Sequence, residues 1–182
     1  MPVSERTYEL VALEDPEGNW ELHRGRLREK PSMSYRHNRG MMYLGIQLGQ
    51  QLDPREFEVR VNAGRVRRAN DTAYIPDVLV IPVSMIGPDK DRPDVLERYD
   101  GPLPLVVEVW SPSTGGYDVD EKIPEYCLRG DLEIWRLHPF ERTLTIWRRQ
   151  PDGSYDRTVV LGGRVSLMAL PGATVDLDAL WV

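Results

Sequence analysis

The sequence predicts an α+β fold built on a mixed central β-sheet, and three observations carry that prediction. Two short runs, Val78–Ile81 and Leu105–Val109, are apolar apart from Glu108 and rich in valine, as strands covered on both faces are. One long segment, Ser34–Leu52, carries its apolar residues at helical spacing. The C-terminal part reads as short strands punctuated by turn residues.

From the N-terminus, the first expected element is a hairpin, Trp20–His23 and Arg26–Lys30, folded at Arg24-Gly25. The helix follows: Met41, Leu44, Leu48 and Leu52 form its buried stripe, and Gln47, Gln50 and Gln51 lie mostly away from it. Ser34 suits its N-cap and Asp53-Pro54 stops it. Phe57–Asn62 alternates apolar with polar residues, the pattern of a half-buried strand. Between the two apolar runs lies a polar loop, Val83–Pro104, of a length that is unusual in a compact domain and often functional. A second helix spans Asp118–Arg129, with Val119, Ile123, Tyr126 and Cys127 buried and Gly130 as its C-cap. Pro124 biases Ile123 away from helical geometry, which allows a start near Lys122. Strands are expected at Leu132–Leu137, Leu144–Arg148, Tyr155–Leu161 and Val165–Leu170.

Length and composition bound the function. At 182 residues, with no repeat and no linker-like stretch, the chain suits one domain spanning 1–182. No apolar run approaches the ~20 residues that span a bilayer, and Met1–Leu10 lacks a signal-peptide pattern, so no membrane role is expected and the cytoplasm is the default address. Cys127 is the single cysteine, which rules out an internal disulfide or a cysteine zinc site and suits a small core residue. His23, His37 and His138 are too far apart for a histidine metal motif. A net charge of −6 argues against coating nucleic acid through bulk charge, and leaves room for an enzyme with one local basic strip. Arginines number twenty and lysines three, so a mechanism that needs a lysine must use Lys30, Lys90 or Lys122.

The anomaly is acid inside the most apolar strands. Asp77 directly precedes Val78–Ile81, and Glu108 interrupts Leu105–Trp110. Burying an unpaired carboxylate costs several kcal/mol, so each needs a cation, a proton or a partner. Two carboxylates on adjacent strands can share one divalent ion, and hard oxygen ligands favour Mg²⁺, with Mn²⁺ as a substitute. The plain alternative is a pair of salt bridges to arginines.

Pro76-Asp77 followed by Glu108 resembles the PD-(D/E)XK nuclease pattern, and the surrounding residues are more specific. Trp20–Leu27, His37, Tyr74–Val80, Leu105–Thr114, Asp118-x-x-x-Lys122-x-x-x-Tyr126-x-x-x-Gly130 and Leu132–Leu137, in that order, resemble the Uma-two family of restriction endonucleases. The resemblance covers roughly 8–139. It implies a restriction-endonuclease-like mixed sheet flanked by helices, with extra antiparallel strands, and Mg²⁺-dependent hydrolysis of DNA. It also implies Asp77 and Glu108 as metal ligands. A lysine two places after the glutamate is missing, since that position is Trp110; the family pattern supplies it from the next helix, as Lys122. Where the family has Asp-Pro, this chain has His138-Pro139.

A cation is wanted there because a phosphodiester attacked by water gains charge on its oxygens while the water loses a proton. The alternative for Lys122 is a solvated lysine paired with Asp118 or Glu125. Glu21 is a possible further acid at the rim, or else an exposed strand residue, and His37 is a supporting residue that better suits a hydrogen-bonded position beside the core than a general base. Ser111, Ser113 and Thr114 suit phosphate contacts or an ordinary turn. Arg65 and Arg67, with Arg68 beside them, and Arg24, Arg26 and Arg28 form alternating sets that suit phosphates or a solvated face. Cleaving both strands implies a homodimer by analogy. Two competitors stay open: an idle domain of this fold that binds nucleic acid or a protein, and an interaction protein whose acids merely pair with arginines.

Overall fold

The computed structural model describes residues 2–181, and its elements follow the expected order with additions at both ends and short strands added between. Helix α1 (Glu5–Glu14) precedes the hairpin β1 (Trp20–His23) and β2 (Arg26–Glu29). Arg24 and Gly25 both take positive φ, 47° and 75°, as a two-residue hairpin turn requires. Helix α2 (Tyr35–Gly49) is capped by Ser34, whose hydroxyl accepts from His37 N–H at 3.3 Å. Strands β3 (Phe57–Val61), β4 (Arg65–Ala69), β5 (Thr72–Tyr74) and β6 (Val78–Pro82) come next. The long loop keeps little regular structure besides two short 3₁₀ turns and β7 (Arg98–Tyr99). After β8 (Leu105–Val109) comes a helical run, then β9 (Glu133–His138), β10 (Thr143–Arg149), β11 (Tyr155–Val160), β12 (Arg164–Ser166) and β13 (Thr174–Asp176).

The helical run differs from the expectation. It starts at α3 (Gly115–Tyr117), widens into a π-helical turn over Asp118–Lys122 and continues as α4 (Ile123–Arg129). Pro124 explains the widening. It has no N–H for a carbonyl four residues back and its ring crowds that turn, so the wider turn relieves the clash without ending the helix. Ile123 keeps helical angles, φ −56° and ψ −45°, and its N–H donates to the Asp118 carbonyl. Lys122 is therefore inside a helix and not at its start. Gly130 closes the run at φ 85°, where a side chain would be strained.

Six strands in the order β11-β10-β9-β8-β6-β3 make the main mixed sheet; β8 and β9 are parallel, the other pairs antiparallel. A five-stranded sheet, β2-β1-β5-β4-β7, lies beside it, and β5 runs into β6 through Ile75-Pro76-Asp77. One face of the main sheet packs Val78, Val80, Val107 and Trp135 with Met41, Leu44 and Leu48 of α2. The opposite face packs Leu79, Ile81, Val106 and Ile134 with Tyr126 and Ile123 of α4 and Val66 and Tyr74 of the second sheet. Covered on both sides, β6 and β8 bear out the reading of their apolar runs.

The expected strand Val165–Leu170 shortens to β12, which pairs with the unanticipated β13. Helix α1 also went unread: in ERTYELVALE only Tyr8 and Ala12 are buried, too thin an apolar stripe to stand out. Among the described residues no helix is long and apolar enough to cross a membrane.

Candidate active site

Both anomalous acids lie where the two sheets meet. Val78 pairs with Val107, which sets Asp77 and Glu108 opposite each other one step further on. Period-2 alternation gives both the parity of Leu79 and Val106, so they share the α4 face of the sheet. Asp77 Oδ2 accepts from the Val109 N–H at 2.6 Å and from His37 Nε2 at 3.0 Å. Its Oδ1 lies 2.7 Å from the Lys30 ammonium. Glu108 Oε1 accepts from the Tyr126 hydroxyl at 2.5 Å and from Lys122 Nζ at 3.3 Å. Lys122 Nζ also donates at 2.8 Å to Glu21 Oε1, which in turn accepts from the Ile75 N–H at 2.9 Å. Asp118, one helical turn before Lys122, is buried and accepts from the Thr114 hydroxyl at 3.0 Å.

The four acids and two lysines line a cleft of about 270 Å³, with His37 and Tyr126 behind them. Its walls include Glu21, Asp77, Glu108 and Asp118, the ammonium groups of Lys30 and Lys122, and Arg28 stacked 3.8 Å over the Tyr117 ring. Larger hollows lie elsewhere, one of about 390 Å³ lined by the 86–100 loop, but none of them holds these buried acids.

The alternative of acids paired with arginines is right for a different set of residues. Glu125 pairs with Arg24 and Arg68, Asp131 with Arg129, and Glu133 with Arg148. Glu21, Asp77 and Glu108 instead take ion pairs from lysine and histidine. An arginine fork grips both oxygens of a carboxylate at once; an ammonium is a point charge on a flexible stem, which another cation displaces more readily.

Four buried carboxyl groups crowd around two ammonium groups, with His37 at Asp77 and Arg136 acting on Asp118, and the crowding of acid shows in their proton affinities. Burial pushes Glu108 up to about 8; Lys122 opposes this while Asp77 and Asp118 reinforce it. Burial likewise raises Asp118 to about 6, against Lys122 and with Asp77. Burial would lower Lys122, but Glu108, Glu21 and Asp118 hold it well above its ordinary value, so it stays charged. Burial would also raise Asp77, yet Lys30 and His37 outweigh it and hold that carboxyl well below the usual range.

The raised Glu108 makes a stability prediction. A folded pKa of about 8 against an ordinary 4.5 means stability is full below pH 4.5 and declines as pH rises toward 8. Glu108→Gln removes that titration, so its urea midpoint should fall less between pH 5 and pH 8. A tenfold change in proton affinity is worth roughly 1.4 kcal/mol, so the relative gain at pH 8 is on the order of a few kcal/mol. Parallel profiles for the two proteins would show that Glu108 is already ionised in the folded chain at pH 5.

The structure brings Asp77, Glu108, Lys122, Glu21 and His37 together. Glu21 is buried rather than exposed, and His37 holds Asp77 from beside the core. Ser111 does not open onto the cleft: its hydroxyl is buried against Ser113 and Thr114, in a turn that positions Thr114 for Asp118. Arg65 and Arg67 do not line the cleft either. Arg65 donates to the Tyr8 hydroxyl at 3.0 Å and Arg67 pairs with Glu5, because α1 packs over that part of the second sheet. His138 stacks on Trp110 at 4.2 Å and packs the turn after β9. Sequence reasoning missed Lys30, Asp118 and Tyr126 as members of this cluster. The i, i+4 and i, i+8 spacing of Asp118, Lys122 and Tyr126 was a usable signal; nothing local marked Lys30.

Among the described residues no three His, Cys, Asp or Glu side chains are arranged to hold a metal ion by themselves. Mg²⁺ seldom asks for that: it is usually held by one or two carboxylates together with water and substrate phosphate. The donor set therefore suits such an ion, with hard oxygens on Asp77 and Glu108 in a polar cleft that has more carboxyl groups than ammonium groups.

A family model described as "Uma2: Putative restriction endonuclease" matches residues 6–178. The fold is similar to a crystal structure described as "a putative nuclease belonging to DUF820" from Anabaena variabilis, at TM-score 0.79 and 18% identity. That match covers 99% of this chain and 98% of the other, and at such identity it speaks for the fold. No functionally curated protein matches the sequence.

Proposed function

Because the chain belongs to the Uma2 family, described as "Putative restriction endonuclease", we propose that it is a Mg²⁺-dependent nuclease that hydrolyses phosphodiester bonds in DNA. One observation carries this reading: buried acids without arginine forks converge on a cleft beside a buried, charged lysine.

Asp77 and Glu108 would hold the ion. When bound, Mg²⁺ supplies Lewis acidity toward a phosphate oxygen and makes water easier to deprotonate. The chain's own residues do the rest. The Val109 N–H and His37 fix one oxygen of Asp77, and the Tyr126 hydroxyl fixes Glu108, so neither carboxylate must reorganise when substrate arrives. Lys122 is held by Glu21 and stays charged, and in this reading it would supply positive charge to the attacked phosphate as that group gains negative charge. Arg28, at the cleft wall, is placed to meet a neighbouring phosphate. Cutting both strands at one place needs two such clefts, so a homodimer on the duplex is part of the proposal.

Supercoiled plasmid incubated with the purified chain and Mg²⁺ or Mn²⁺ should become nicked or linear, and EDTA should stop the reaction. Intact plasmid with both ions would turn the assignment toward a second reading, a nucleic-acid-binding domain without hydrolysis. That reading has one observation in its favour, the Lys30 ammonium already seated at Asp77.

A further inference from the structure

Lys30 is enclosed by oxygen. Its ammonium lies 2.7 Å from Asp77 Oδ1, 2.8 Å from Asn62 Oδ1 and 2.9 Å from the Ile75 carbonyl. The three oxygens come from two places: Ile75 and Asp77 in the short link between β5 and β6, and Asn62 in the turn after β3. The lysine side chain is only 6% exposed and lines the same cleft as Glu108 and Lys122. Of the three lysines in the chain, two are therefore committed to this cleft.

The ammonium donates to Asn62 and Ile75 and forms a close ion pair with Asp77 Oδ1. An ammonium has three hydrogens in fixed directions; a spherical ion has no such demand and draws carboxylate oxygen closer. A carboxylate, a side-chain amide and a backbone carbonyl make a set of hard oxygens suited to a cation, and the cation here is tethered to the chain.

We propose that Lys30 is a built-in competitor for the divalent ion at Asp77: its ammonium fills the oxygen cage of Asp77, Asn62 and Ile75, and an ion engages Asp77 only as that ammonium withdraws. This rests on the reading of Asp77 as an ion ligand. Two cations on one buried carboxylate repel strongly in a medium less polar than water, so occupancy by one opposes the other. Lysine suits such a role. Its stem has four flexible carbons, and the cleft beside it provides space into which the ammonium can swing. Lys30 thereby sets the ion concentration at which the site loads.

Calorimetric titration of the full chain with Mn²⁺, without nucleic acid, tests this. Lys30→Met and Lys30→Gln are compared with the parent, with Lys30→Met/Asp77→Asn as the control for location. The expected result is a Kd at least tenfold lower in one or both neutral variants, lost in the double variant. Where a neutral variant is unfolded without metal, refolding by millimolar Mn²⁺, followed by circular dichroism, is the same result in another form. Parent and variants binding Mn²⁺ equally, or variants that bind more weakly or stay unfolded at millimolar Mn²⁺, overturn the role of Lys30 and leave Asp77 as a ligand. No binding by any of the proteins overturns that ligand assignment as well.

Discussion

Asp77→Asn is expected to reduce Mg²⁺-supported cleavage of plasmid by on the order of 10³-fold or more while leaving the chain folded. Asparagine keeps the shape and one carbonyl oxygen, which can still accept from the Val109 N–H and from His37. It loses the charge that a hard divalent ion requires and places an amide against the Lys30 ammonium. At about 1.4 kcal/mol per tenfold, such a loss is about 4 kcal/mol of transition-state stabilisation. Cleavage rates measured beside a circular-dichroism melt separate the two effects. A variant that cuts like the parent removes Asp77 from the chemistry. A variant that fails to fold identifies Asp77 as a structural anchor of the β5–β6 junction.

Lys122→Met should be more damaging to the whole molecule. Lys122 is the shared partner of Glu21 and Glu108, both buried, and its removal leaves two carboxylates without their ammonium. Breaking one buried pair by removing a partner typically destabilises by about 3–5 kcal/mol. Protonation of Glu108, already favoured by burial, relieves part of that loss, so the variant should melt at a higher temperature at pH 5.5 than at pH 8. Cleavage should fall by about 10²-fold or more even under conditions where the variant is folded. Lys122→Arg does not restore the parent, because a planar fork is wider than a point charge and the cleft is closed around Nζ. Urea midpoints at the two pH values and plasmid cleavage at the lower one decide the matter. Undiminished cleavage by folded Lys122→Met would return the lysine to a purely structural role.

How much was legible in the sequence depends on how local the cause is. The hairpin at Arg24-Gly25, the cap at Ser34 and the stop at Asp53-Pro54 are properties of neighbouring residues, and the structure repeats them to within a residue or a few. The apolar runs of β6 and β8 announced strands buried on both faces, since only such strands can leave every side chain apolar. Asp77 and Glu108 stood out as the acids that broke this rule. Pro124 was legible as a disturbance but not as its outcome: a proline predicts a lost hydrogen bond, and the surrounding packing settles whether the helix ends or widens.

What only the tertiary structure decided is partnership. Twenty arginines and three lysines carry the same sign of charge along the chain, yet the arginines went to Glu125, Asp131 and Glu133 and two lysines to the acids of the cleft. Lys30 and Asp77 are far apart in sequence and 2.7 Å apart in space. Arg65 and Arg67 alternate as a phosphate-binding strip would, and α1 took them for its own tyrosine and glutamate. The sequence by itself determined which strands would be buried and which residues would be costly to bury there, because hydrophobicity and backbone preference act over a few residues. Which charge answers each buried carboxylate was settled by the fold, because an ion pair needs proximity in space and none along the chain.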